Sequence, residues 1–122
     1  MEPRLLQDLI TIGGATTAAI VQSASNWLDL GNLEDLTLFL DVRDASGGSS
    51  TIYFDTSPSA LEAQFVQLLP GITLAPGLKT SVVASSLAHV PPARFLRWRW
   101  VVGGSAAASV TFRIWVAGYG WA

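Results

Sequence analysis

The sequence predicts an all-β fold: an antiparallel two-sheet sandwich of about eight strands, jelly-roll-like, with at most a short helix. Three observations carry that expectation. Apolar and polar residues alternate with period two in several separate segments. Eleven glycines and six prolines punctuate the chain. No segment keeps the i, i+3, i+4 apolar spacing of a long helix. At 122 residues the chain makes one domain with a full core. We divide it into an N-terminal arm, residues 1–14, and a β-sandwich domain, residues 15–122.

The first elements are weakly patterned. Arg4–Ile10 reads equally as helix or as extended chain, and Leu9–Ile12, Thr16–Gln22 and Trp27–Leu30 are candidate strands. The segment Leu36–Arg43 is much clearer. Leu36, Leu38, Leu40 and Val42 fall on one face; Thr37, Phe39, Asp41 and Arg43 fall on the other. The Ser46–Ser50 cluster then turns the chain into Thr51–Thr56, with Ile52 and Phe54 inward and Tyr53 and Asp55 outward. These two strands are expected to pair as a hairpin.

Ser59 and Glu62 have the spacing of a capping box, so about one or two helical turns are expected before Pro70. Gln64–Leu69 and Thr80–Ser85 are further candidate strands between prolines. In Arg94–Val102, Leu96, Trp98, Trp100 and Val102 alternate with Phe95, Arg97, Arg99 and Val101. A Gly103-Gly104-Ser105 turn leads into Ser109–Ala117, where Val110, Phe112, Ile114 and Val116 alternate with Thr111, Arg113 and Trp115. This reads as a second hairpin.

Composition excludes several functions. Seven Lys+Arg against nine Asp+Glu give a net charge of −2, whereas proteins that grip nucleic acid by its phosphates carry a basic surplus. With no Cys there is no disulfide, thiol chemistry or Cys-based metal site. One His, His89, excludes multi-His metal sites. Leu9–Leu28 is uncharged but too polar for a spanning helix. Met-Glu-Pro-Arg at the start does not resemble a signal peptide, so synthesis in a cytoplasm is expected, with no membrane or nucleic-acid partner.

The candidate chemistry is sparse. Asp41 and Asp55, outward on paired strands, would approach one another, and close carboxylates can work as acid and base. Cross-strand ion pairs with Arg43, Arg97, Arg99 and Arg113 explain the same residues better. Asp29, Glu34 and Asp35, with Asn26 and Asn32, offer oxygen ligands but match no calcium-loop spacing. The glycine pairs form no phosphate-binding motif. In Arg94–Trp100, alternation places both Trp inward, which favours a core strand with a solvated charged face over a base-stacking platform. We therefore expect no catalytic residue, no metal and no cofactor.

The outward aromatics point to an interface. Phe39, Tyr53, Phe95 and Trp115 fall on faces turned from the core, and only 13% of residues are charged, so assembly would hide apolar surface. Tyr119 and Trp121 in the glycine-rich tail add two more aromatics.

Three segments carry a family likeness: Leu-Thr-Leu-Phe-Leu-Asp-Val at 36–42, the strand ending in Asp-Thr-Ser-Pro at 55–58, and Ala93–Phe112. Their pattern resembles small β-sandwich proteins of tailed-bacteriophage virions, capsid decoration (cement) proteins among them. The resemblance implies a non-enzymatic structural protein on the capsid surface. It would bind the major capsid protein lattice, often as a trimer, and hold the shell against internal DNA pressure. The arm would then reach a neighbour through Leu5, Leu6, Leu9 and Ile10. Arg-Phe-Leu-Arg-Trp at 94–98 is also similar to carbohydrate-binding jelly rolls, which implies the alternative of a sugar-binding module for host-surface attachment.

Overall fold

A computed structural model describes residues 4–14, 19–31, 35–84, 93–103 and 107–119. Ten strands run in chain order. They are β1 (Arg4–Gly14), β2 (Ala19–Val21), β3 (Leu28–Asp29), β4 (Asp35–Gly47), β5 (Ser50–Ser57), β6 (Val66–Gln67), β7 (Ile72–Thr73), β8 (Lys79–Ala84), β9 (Phe95–Val102) and β10 (Ala108–Tyr119). Sheet A has the order β1-β10-β4-β8. Sheet B has the order β2-β9-β5-β6, with β3 also on β9 and β7 also on β5. Every pairing is antiparallel.

β2 and β3 lie along one side of β9, and β6 and β7 along one side of β5, so each couple is one interrupted line. The first line then pairs with the last, the second with the second-last, and so on inward to β5 with β6/β7. Alternate couples fall in the two sheets. The strands thus make an all-β sandwich of two antiparallel sheets, the fold class expected from the sequence.

The inward sets follow the alternation. Leu38, Leu40 and Val42 of β4 and Phe112, Ile114 and Val116 of β10 are buried, as are Ile52 and Phe54 of β5 and Leu96, Trp98 and Trp100 of β9. Each such side chain contributes about 1.5–3 kcal/mol of burial. Trp98 meets Phe112 of the facing sheet edge-on, with ring centroids 5.2 Å apart.

Neither expected hairpin forms. β4 lies in sheet A and β5 in sheet B; β9 lies in sheet B and β10 in sheet A. The β4–β5 connection arches from one layer to the other, and it meets the residues that end β9 and precede β10. Gly48 N donates to the Ala107 carbonyl (2.7 Å), and Gly103 N donates to the Ser49 carbonyl (3.0 Å). Gly47 makes the arch feasible. Its φ is +81°, and a Cβ there would lie 2.1 Å from the Ala107 oxygen. An alternating strand has one apolar face whether its sequence neighbour lies beside it or across the core, so the pattern cannot tell arch from hairpin.

Smaller elements differ too. Arg4–Ile10 is extended, within β1, so the helical reading is set aside. The expected capping box does not form. A single 3-10 turn spans Glu62–Gln64 after Leu61, with no side-chain cap, and the Ser59 hydroxyl bonds Gln64 instead. A second 3-10 turn, Ala24–Asn26, interrupts the β2/β3 line.

Trp98→Ala is expected to destabilise the domain by about 3–5 kcal/mol in denaturant unfolding, because the cavity would open between both sheets. A variant as stable as the parent would show that Trp98 is not enclosed as described.

Candidate interaction surface

The two outer faces of the sandwich differ. Sheet B is roofed. Trp27, beside the β2/β3 interruption, and Phe65, before β6, meet edge to face with centroids 4.6 Å apart. Beneath them lies Arg97, its guanidinium 4.1 Å from the Phe65 ring centre and 5.6 Å from that of Trp27. Asp55 Oδ2 accepts from Arg97 Nε and Arg99 Nε, both at 3.2 Å. Arg97 Nη1 also lies 3.4 Å from Glu62 Oε1. The side chains of Arg97 and Asp55 are only 8% and 4% exposed. The expected solvated face is therefore wrong for these two: the loops that fold over them come from opposite edges of the sheet.

Sheet A carries no such cover among the described residues. Its register aligns Leu5, Trp115, Phe39 and Ser81 in one outward row across all four strands. The next row holds Arg113, Asp41 and Lys79. Asp41 Oδ2 accepts from Arg43 Nε (3.1 Å) and Arg113 Nη2 (3.3 Å). Partial burial of Asp41 opposes its ionisation. The hydrogen bond and charge of Arg43, the charge of Lys79 and the Arg113 bond outweigh it, holding the carboxyl below its ordinary value of 3.8.

The expected approach of Asp41 to Asp55 is thus overturned: they lie on different sheets, each on its own arginines. Asp29 is held by Arg94 (Nη2–Oδ2 3.1 Å) and bonds the Gly31 amide. The Arg94 hydrogen bond, then the Gly31 amide, hold its carboxyl below the ordinary value. No group of three or more His, Cys, Asp or Glu able to hold a metal occurs among the described residues. His89, Asn32, Glu34 and Trp121 lie outside the described residues.

The four outward aromatics do not form one patch. Phe39 and Trp115 are cross-strand neighbours on sheet A, Phe39 being 43% exposed. Tyr53 and Phe95 sit on sheet B, half-buried, with Arg99 4.4 Å from the Tyr53 ring centre and Arg94 5.3 Å from that of Phe95. Of the arm, Leu5 and Leu9 are exposed (36% and 49%), Ile10 packs partly against the core, and Leu6 turns inward at 3% exposure. Leu6 is thereby a core residue and unavailable to a partner. Tyr119 closes β10 opposite Asp35.

The sequence reading missed two features. Leu61 and Val66, on either side of the Glu62–Gln64 turn, are exposed at 60% and 52%. Buried Gln22 joins the layers. Its Nε2 donates to the Leu6 carbonyl (2.7 Å), its Oε1 accepts from Trp98 N (3.3 Å), and its own carbonyl takes the Trp27 Nε1 proton (2.9 Å). A lone polar residue at the end of a weak strand pattern gives no sign of that role.

Asp55→Asn is expected to cost about 3–5 kcal/mol in urea unfolding, since it leaves buried Arg97 short of its anion. For Asp41 the depressed carboxyl contributes stability that is complete above 3.8, its unfolded-state value, and is lost as pH falls through the lower folded value. The stability difference between the parent and Asp41→Asn should therefore be flat above about pH 5 and shrink below it. A difference that grows on acidification would contradict the ion-pair geometry.

No family profile matches the sequence, and no curated protein matches it. Solved structures do share its fold. The chain is similar to the PBSX exported protein XepA, with TM-score 0.57 and 16% identity over 99% of this chain and 38% of that one. It is similar to the infectious bursal disease virus VP2 subviral particle, with TM-score 0.53 and 8% identity over 96% of this chain and 32% of that one. A structure of the Gt strain of that virus gives TM-score 0.51 and 11% identity over 96% and 33%. The chain spans about a third of the length of these proteins, and at such identities the likeness is one of fold: an all-β sandwich of two antiparallel sheets.

Proposed function

We propose that the chain is a non-enzymatic structural protein of a virion, a capsid decoration protein that binds the outer surface of an assembled capsid-protein lattice. Its role is mechanical. By adding buried area across subunit boundaries it holds the shell against the pressure of packaged DNA. A protein that binds only the assembled lattice stabilises it by mass action. A homotrimer, made in the host cytoplasm before it joins the particle, is what the family resemblance implies.

The observation that carries this reading is β1. It is an eleven-residue edge strand with no described strand on its outer side, and it displays Leu5 and Leu9. An edge strand that displays apolar side chains is stabilised by a partner laid along it. The interrupted lines at the edges of sheet B offer no comparable run. A sandwich of the same kind occurs in a viral particle protein, which agrees with a role in assembly.

The test is co-sedimentation with virions from the lysate in which the chain is made. The parent protein is expected to band with the particles. The double variant Leu5→Ser, Leu9→Lys is expected in the soluble fraction at an unchanged melting temperature, since both side chains are exposed. A parent protein absent from the particles, or a variant bound as well as the parent, overturns the proposal. Light scattering of the free protein is expected to give the mass of a trimer.

A further inference from the structure

We propose that the β5–β6 connection, residues 58–65, is a hinged strap that lifts off Arg97 as one piece while both sheets stay folded. This device belongs to sheet B and goes beyond the particle contact argued from β1. Both ends of the connection are pinned. Thr56 and Ser57 before it are buried, and so are Leu68 and Leu69 after it, with Leu68 N donating to the Phe54 carbonyl (2.8 Å). Between these anchors residues 60–64 are exposed.

The strap holds itself together. The Ser57 hydroxyl donates to the Ser59 carbonyl (2.6 Å) and accepts from the Ser59 amide (3.2 Å). The Ser59 hydroxyl bonds Gln64, and the Gln64 and Phe65 amides donate to the Leu61 and Glu62 carbonyls (3.0 and 3.2 Å). Lifting the strap breaks none of these bonds. Two of its residues reach the sheet by charge or by ring. Glu62 lies 3.4 Å from Arg97 Nη1, and Phe65 rests on Arg97 and Trp27. Trp27 stays with the body, because its Nε1 donates to the Gln22 carbonyl (2.9 Å). Phe65 is therefore the moving half of the roof and Trp27 the fixed half.

The closed position is held against a polar cost. Asp55 Oδ1 and Arg97 Nη1 are buried beneath the roof and make no hydrogen bond to any described residue. Their desolvation opposes closure. The ring contacts of Phe65 favour it. These contributions are of similar order, so the closed and open positions differ by little in free energy. That is the condition for a local opening that stops short of global unfolding. Opening lets water reach both atoms and uncovers Arg97, Asp55 and one face of the Trp27 ring.

The test is native-state hydrogen exchange of the ¹⁵N-labelled protein, followed by NMR at the Arg97 Nε–H, which donates to Asp55 Oδ2. Urea is raised in steps that stay below the unfolding transition. The Arg97 proton is expected to exchange with little dependence on urea, because lifting the strap exposes little surface. The Trp100 amide in the core is expected to accelerate with urea as global unfolding does. Phe65→Ala is expected to speed the Arg97 exchange about tenfold or more, and Glu62→Gln about twofold to fivefold, each measured against the Trp100 amide of the same variant. Phe39→Ala, on sheet A, is expected to leave that ratio unaltered. An Arg97 rate that rises with urea in step with Trp100 would show that only global unfolding reaches it, and overturns the proposal. A rate as fast as that of the exposed Arg43 Nε–H would mean that no closed position exists and overturns it too, as does failure of both strap variants to change the Arg97 rate.

Discussion

The contact between Trp98 and Phe112 is the constraint on which the remaining structure rests. The two rings come from opposite sheets and meet edge-on at the centre of the core. Trp98 is also tied at its polar atoms. Its Nε1 donates to Gln7 Oε1 (3.0 Å), its carbonyl accepts from Gln22 N (3.1 Å), and its amide donates to Gln22 Oε1. One residue of β9 thus ties β1 of sheet A to Gln22, the residue that follows β2 of sheet B. The indole fills the space between the layers while its N–H is satisfied, which is what allows a ring of this size to be buried without a polar penalty.

From that centre the two outer faces diverge, although their strands carry similar residues. Asp41 and Asp55 both sit outward, and both are held by two arginines. Only Asp55 is enclosed, because Trp27 and Phe65 close over Arg97. Burying an ion pair costs desolvation that attraction alone offsets poorly. Here the cation also rests on two aromatic rings, and a second arginine shares the carboxylate. The result is a closed face with little left to offer a ligand. The face of sheet A has no such roof among the described residues, and Phe39 and Trp115 stand beside each other on it.

The edges divide in the same way. A strand edge is a template for a further strand unless it is broken or covered. The lines at the edges of sheet B are each interrupted, one by a 3-10 turn and one by Pro70 and Gly71 between β6 and β7. β1 is continuous, with two register irregularities opposite β10. The likeness to solved structures at 16% and 8% identity is one of fold alone. The distribution of edge, aromatic and charge is specific to this chain.

Taken alone, the sequence determined the inward and outward faces of the main strands. Leu38, Leu40, Ile52, Phe54, Trp98, Trp100, Phe112 and Ile114 were all assignable to the core, because a period of two is imposed locally by the pleat and survives in any sheet. The outward position of Phe39 was legible for the same reason. Tertiary structure decided which strands became neighbours. β4 pairs with β10 and β8 instead of β5, a choice that depends on how two apolar faces meet across the core and leaves no local mark. It also decided the burial of Arg97 and Asp55, since the rings that cover them come from residues 27 and 65, distant in the chain. The outward row through Phe39 is of that kind: Leu5, Trp115 and Ser81 come from three further strands, and only the register brings them together.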